Sequence, residues 1–325
     1  MRFGVLQFFS WPERRVPLQE VYARALQRID IMDRGGYDAV WLAEHHFSTY
    51  SVCPSVHLMG MHVADQTQHL RIGMGVSLAA FYHPLRLAEE VALLDNLSGG
   101  RVNWGAGRGF DRNEMENFSV SADDSYAKFR EHVEIVRQAW QPGALTYHGR
   151  FNQFDAVEVL PKPLQDPMPV WIAASSEPAV QWAAQQGHAI LMDPHSSHDE
   201  LGAKRRLYQD TLAAAGHNHD LSIPMARLLA IADTDAEAEA VARAGAEWTV
   251  GGYASGKQGG PPSPLSPQER VERYVNEVII HGSPDKVVDE LQRLEATIGL
   301  DYLLASPLSH KTFLQLTDKV MPRLL

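Results

Sequence analysis

The chain has one cysteine, Cys53, among 325 residues, so it cannot close an intrachain disulfide. A reducing, cytoplasmic location follows as the simplest expectation. Long apolar runs are missing too, which argues against a membrane span. The apolar stretch near Met1 is too short for a signal peptide. It runs into Trp11-Pro12-Glu13-Arg14-Arg15 with no small-residue cleavage site, so a first buried strand is expected there. Positive charge is outweighed: the net charge is −11 and no basic stripe is present, which argues against a nucleic-acid binder. No Gly-x-Ser-x-Gly elbow occurs, and a lone cysteine without a partner motif gives no thiol nucleophile. The fifteen histidines include His195-Ser196-Ser197-His198 and His217-Asn218-His219, but neither run has zinc-helix spacing. Both read as solvated loop histidines.

What is present is a strand–helix rhythm. Strands are expected at 3–9, 39–43, 71–76, 101–106, 170–173, 189–192, 225–232 and 300–305. Helices are expected at 18–34, 56–66, 84–97 and 124–140, with a small hairpin around Tyr147–Phe151. Eight strands with intervening helices favour an α/β architecture, a (β/α)8 TIM barrel forming one domain over residues 1–325. Irregular stretches after strands 4 and 7 read as insertions. The second contains 252–264, so rich in Gly and Pro that it is either a mobile lid over the site or an insertion without a role.

Chemistry gathers where strands end. The run Trp41-Leu42-Ala43-Glu44-His45-His46-Phe47 passes from buried strand to a carboxylate and two imidazoles. In parallel α/β proteins this is the ligand-binding side, and an imidazole there can move a proton near neutral pH. Adjacent side chains on extended backbone point apart, so one histidine faces a ligand while the other packs, or both are structural. After the fourth strand, Gly105-Ala106-Gly107-Arg108-Gly109-Phe110 combines a glycine-rich turn with a guanidinium suited to phosphate. It lacks the spacing of a dinucleotide fingerprint. After the fifth, Ser175-Ser176-Glu177-Pro178 is a helix start, either an ordinary cap or an anion site.

Taken together, these segments resemble the bacterial luciferase-like flavin monooxygenases. The resemblance rests on residues 40–47, His83-Pro84-Leu85-Arg86-Leu87-Ala88-Glu89-Glu90 and Leu93-Leu94-Asp95-Asn96-Leu97-Ser98-Gly99-Gly100-Arg101. It extends through Gly105–Gly109, Trp182-Ala183-Ala184-Gln185 and Gly282-Ser283-Pro284. It implies a TIM barrel that takes reduced FMN from a separate flavin reductase. Oxygen adds to the flavin, and the resulting peroxyflavin oxygenates a small organic substrate. A homodimer is the implied assembly. By the same resemblance His45 is the catalytic histidine, and Arg108, Ser175 and Ser176 hold the FMN phosphate. Gly75 and Val76 lie where relatives carry a non-proline cis peptide beneath the flavin ring. Two departures matter: Ala106 replaces a reactive cysteine, and Ser175 replaces an acidic residue of the phosphate site. Both weigh against light emission and leave flavin binding in place. Two alternatives stay open, an F420-dependent oxidoreductase of the same barrel and a non-catalytic flavin-binding subunit. The retained His45 and Arg108 weigh against the latter.

Overall fold

A computed structural model of the chain describes residues 1–218, 222–252 and 264–325. Residues 253–263 of the expected lid lie outside the described residues. The architecture is α/β, and two compact units divide it. One comprises Met1–Gln7, Arg34–Val40 and Ile172–Leu325; the other comprises Phe8–Asp33 and Trp41–Trp171.

In the first unit, Arg2–Gln7 pairs in parallel with Tyr302–Pro307, with Arg2 opposite Tyr302. Tyr302–Pro307 pairs in turn with Met225–Ile231. All seven residues of Met225–Ile231 are buried, as a parallel strand covered on both faces requires. A further parallel strand, Ile280–Gly282, lies beside it, with Leu229 opposite Ile280. The helix Pro284–Ile298 starts on Ser283 with proline in its first turn and ends on left-handed Gly299. Its apolar face, Val287, Val288, Leu291, Leu294 and Ile298, has the spacing of one buried stripe.

In the second unit, Arg71–Met74 pairs in parallel with Val102–Gly107, and Ser77–Leu78 pairs with the end of that same strand. The helices Val56–Gln66, Pro84–Leu97 and Ser125–Ala139 accompany them, and Leu145–His148 with Gln153–Val157 forms the antiparallel hairpin. Two glycines set the packing. A Cβ on Gly73 would come within 2.3 Å of the Trp41 indole, and one on Gly105 within 2.0 Å of the Met74 carbonyl oxygen. Trp41 is fully buried and meets Trp171 edge to face at 5.3 Å.

Three expectations need correction. The strand expected at 71–76 stops at Met74 and resumes at Ser77, with a cis peptide at Gly75–Val76 between. Ile280–Gly282 was not among the eight expected strands, because three residues carry too little pattern to separate from a helix flank. His198 is no solvated loop residue. It opens the helix His198–Ala214 with its side chain 13 % exposed, and burial pushes its imidazole down to about 4.

Candidate active site

The strand Ala39–Leu42 is wholly buried, and the chain leaves it through Ala43 and Glu44 into His45 and His46. The two imidazoles part, as adjacent side chains on extended backbone should. His45 turns its Nδ1 to Oε1 of Glu114 at 3.2 Å. Its ring sits among Tyr50 at 5.1 Å and Phe8 and Phe110 at 6.3 Å. Those apolar neighbours leave the imidazole 13 % exposed.

His46 goes the other way. Its Nε2 lies 3.0 Å from Oε1 of Glu44, and its ring meets Phe118 edge to face at 4.7 Å. Glu44 is buried and accepts the Leu78 amide at 3.3 Å and the Tyr82 phenol as well. Burial, reinforced by Glu44, pushes the Tyr82 hydroxyl far above its ordinary range, so it stays a hydrogen-bond donor. The two histidines thus bond different buried carboxylates, Glu114 for His45 and Glu44 for His46, and each has aromatic neighbours of its own.

Glu114 comes from the short helix Arg112–Asn117, whose start is fixed by Asp111. The Asp111 carboxylate accepts the Asn113 and Glu114 amides at 2.8 and 3.2 Å. Burial holds the Asp111 carboxyl above its ordinary value although those two amides pull it down. The spacing Asp111-x-x-Glu114 reads as a capping pair, yet the Glu114 carboxylate turns away from the helix start. Its Oε1 takes the His46 amide at 2.8 Å and the His45 ring together. Sequence reasoning passed over Glu114 because nothing local marks a carboxylate that finds its partner 69 residues away.

Arg108 follows the strand Val102–Gly107. Its Nη1 donates to the Ser125 hydroxyl at 2.9 Å, and its guanidinium stacks on Tyr126, 4.1 Å from the ring centroid. Ser125 passes its own proton to the Ala122 carbonyl at 2.7 Å, so it is oriented to accept from Arg108. Among the described residues Nε and Nη2 make no bond, which leaves one edge of the fork available to an anion. Two of the surrounding glycines are closely packed by the protein itself. Gly105 admits the Met74 backbone, and Gly109, at φ +79°, abuts Phe81.

In the other unit, Ser176 is the N-cap of Glu177–Gln185, and its hydroxyl makes no capping bond. Ser197 and Ser266, by contrast, close full capping boxes on their helices. The Ser176 hydroxyl and the exposed Ser175 beside it thus remain unused by the helix start.

The lone thiol takes no part. Cys53 is buried, and burial, with Glu44 nearby, pushes it up to about 12. No cluster of three metal-ligating side chains occurs among the described residues, and none of their helices is long and apolar enough to cross a membrane.

Comparison with known proteins shows the family to which the chain belongs. The chain is 30 % identical over 249 residues to the oxygenase component of a flavin-dependent trigonelline monooxygenase from Acinetobacter baylyi. That match covers 74 % of this chain and 68 % of the relative. Across eight of the curated relatives, the matched segments span between 49 % and 68 % of the relatives' own lengths. Among solved structures, monooxygenase RslO1 from Streptomyces bottropensis is 26 % identical with a TM-score of 0.86, each chain covered in full. An F420-dependent secondary alcohol dehydrogenase shares the fold at a TM-score of 0.78 and 15 % identity, over 100 % of this chain and 98 % of that one. Residues 1–301 match the family described as luciferase-like monooxygenase, and the chain belongs to that family.

Proposed function

We propose that this protein is the oxygenase component of a two-component, FMN-dependent monooxygenase acting on a small organic substrate. The observation that carries the reading is His45. It sits just beyond a buried strand, its Nδ1 against Glu114 and its ring walled by aromatics, in a chain whose curated relative is a flavin-dependent oxygenase component. A fold shared with an F420 enzyme does not by itself choose the cofactor; the 30 % identity to a flavin-dependent relative favours flavin.

The residues present suit a phosphate-bearing flavin. Arg108 keeps one edge of its fork open, and the Ser176 hydroxyl is not spent on its own helix. When bound, reduced FMN from a separate reductase supplies the electrons that let O2 give one oxygen atom to substrate and the other to water. The chain's own residues do the rest. Arg108 pairs with the phosphate. By the family resemblance Ser175 and Ser176 would share that role, and Gly75 and Val76 would hold the flavin ring. His45 holds or moves a proton at Nε2, while Phe8, Tyr50 and Phe110 keep water from it. Ala106 offers no thiol beside the ring, so the reading is oxygenation without light.

The same reading includes a closed (β/α)8 barrel as one domain over 1–325, with insertions after the fourth and seventh strands. It also includes a homodimer and a cytoplasmic location. Titrating the purified protein with FMN, reduced FMN, riboflavin and F420 tests the core of it. Reduced FMN should bind most tightly, and oxygen uptake should require an added flavin reductase. Preference for F420 with hydride transfer, or flavin binding without any oxygen reaction, would replace this reading with one of its alternatives.

A further inference from the structure

The geometry points to Glu114 as the positioning residue that sets which nitrogen of His45 carries the proton; the inference rests on His45 being the proton-handling group proposed above. One atom decides it. Oε1 of Glu114 accepts the His46 amide at 2.8 Å, so that oxygen acts as an acceptor. The same oxygen faces the His45 Nδ1 at 3.2 Å, so Nδ1 must be the donor in this contact. Neutral His45 is thereby held as the Nδ1–H tautomer, with its basic lone pair on Nε2. The reacting group is then oriented by an acid 69 residues away, as acid–imidazole pairs orient a base elsewhere.

Burial makes the pairing effective. Glu114 is 1 % exposed and His45 13 % exposed on their side chains, so water competes poorly for either. Other groups bearing on His45 are few. Asp111 acts on it from the helix start, the Tyr50 ring meets it edge to face, and His46 is turned away to Glu44. Glu114 is the carboxylate in contact, and its oxygen holds the Nδ1 edge of the ring. Replacing it should leave substrate and flavin binding nearly intact and damage the step that uses the proton.

The test has two arms. In the flavin-free protein, 15N chemical shifts of His45 report the tautomer without any turnover. The wild type should show a protonated Nδ1 and an unprotonated Nε2. E114A should shift toward the Nε2–H form, and E114D should restore part of the wild-type pattern. A wild-type His45 protonated at Nε2, or an E114A spectrum identical to wild type, overturns the inference. The second arm uses the protein with reduced FMN and oxygen. E114Q is nearly isosteric and can still accept the His46 amide, so it keeps the fold while removing the charge. It should lower kcat about tenfold, and E114A about a hundredfold, with KM changed less than about twofold. Unchanged kcat in both variants overturns the inference. If wild-type protein shows no oxygenation at all, the proposed function fails, and the tautomer arm still judges Glu114.

Discussion

The Arg108 guanidinium lies over the ring of Tyr126, 4.1 Å from its centroid, and is pinned at one nitrogen by Ser125. The ring contact and the Ser125 bond together restrain the cation. Arg108→Ala should therefore weaken FMN by about 1.5–3 kcal/mol, while riboflavin, which has no phosphate, loses little. Arg108→Lys should recover only part, because an ammonium neither stacks nor forks in the same way. Calorimetric titration of both ligands checks this. Equal losses for FMN and riboflavin would mean that Arg108 shapes the pocket instead of pairing with phosphate.

His45→Ala should fold normally, since Glu114 keeps the His46 amide as a partner. Flavin affinity should also survive. Removal of a general acid–base group typically costs about a hundredfold or more. Oxygen uptake should continue, with hydrogen peroxide replacing the oxygenated product. Product and peroxide measured together give the answer, and unchanged coupling would remove His45 from its role.

Acid stability carries a signature from His132. This imidazole is 2 % exposed, donates from Nδ1 to the Ala79 carbonyl at 2.9 Å, and has no partner at Nε2. Burial pushes it from 6.5 down to about 4. The unfolded chain takes up a proton at this residue near pH 6.5, and the folded chain only near pH 4. Stability from neutral His132 is therefore complete above pH 6.5 and drains away as pH falls from 6.5 to 4, by roughly 3 kcal/mol in all. His198, also pushed down to about 4, adds to the loss in the same window. His132→Asn keeps a donor for Ala79 without titrating. Urea unfolding across this range should show a shallower decline in the variant, and parallel curves would contradict the assignment.

Gly105→Ala tests the packing account of the glycine-rich turn. The added Cβ would meet the Met74 carbonyl oxygen at 2.0 Å, with Trp41 at 3.2 Å on another side, so the two strands must separate. A loss of about 3 kcal/mol is expected, at the upper end for overpacking. A variant that melts like wild type would contradict the packing account.

Much of this was readable from the chain because the relevant signals are local. Pro84–Leu97 and Val170–Ala173 fall on their expected bounds, each marked by a proline or by an uninterrupted buried run. The separation of His45 from His46 followed from strand geometry alone. Family resemblance, not local physics, drew attention to Gly75–Val76, and the peptide there is cis. What stayed hidden was long-range. Glu114 looks like part of a helix cap until the chain brings it to His45, and Ser125 and Tyr126 look like the start of a surface helix until Arg108 reaches them. The packing of Gly105 was hidden for the same reason: its neighbour is backbone from another strand, which spacing cannot reveal.

The most direct test is to bind reduced FMN to the protein without oxygen, mix it rapidly with oxygenated buffer, and follow the return of oxidised-flavin absorbance. The account predicts a delay well beyond that of free reduced FMN, because a walled site that governs the oxygen reaction must hold the flavin between reduction and full reoxidation. Reoxidation at the rate of free reduced FMN would contradict it.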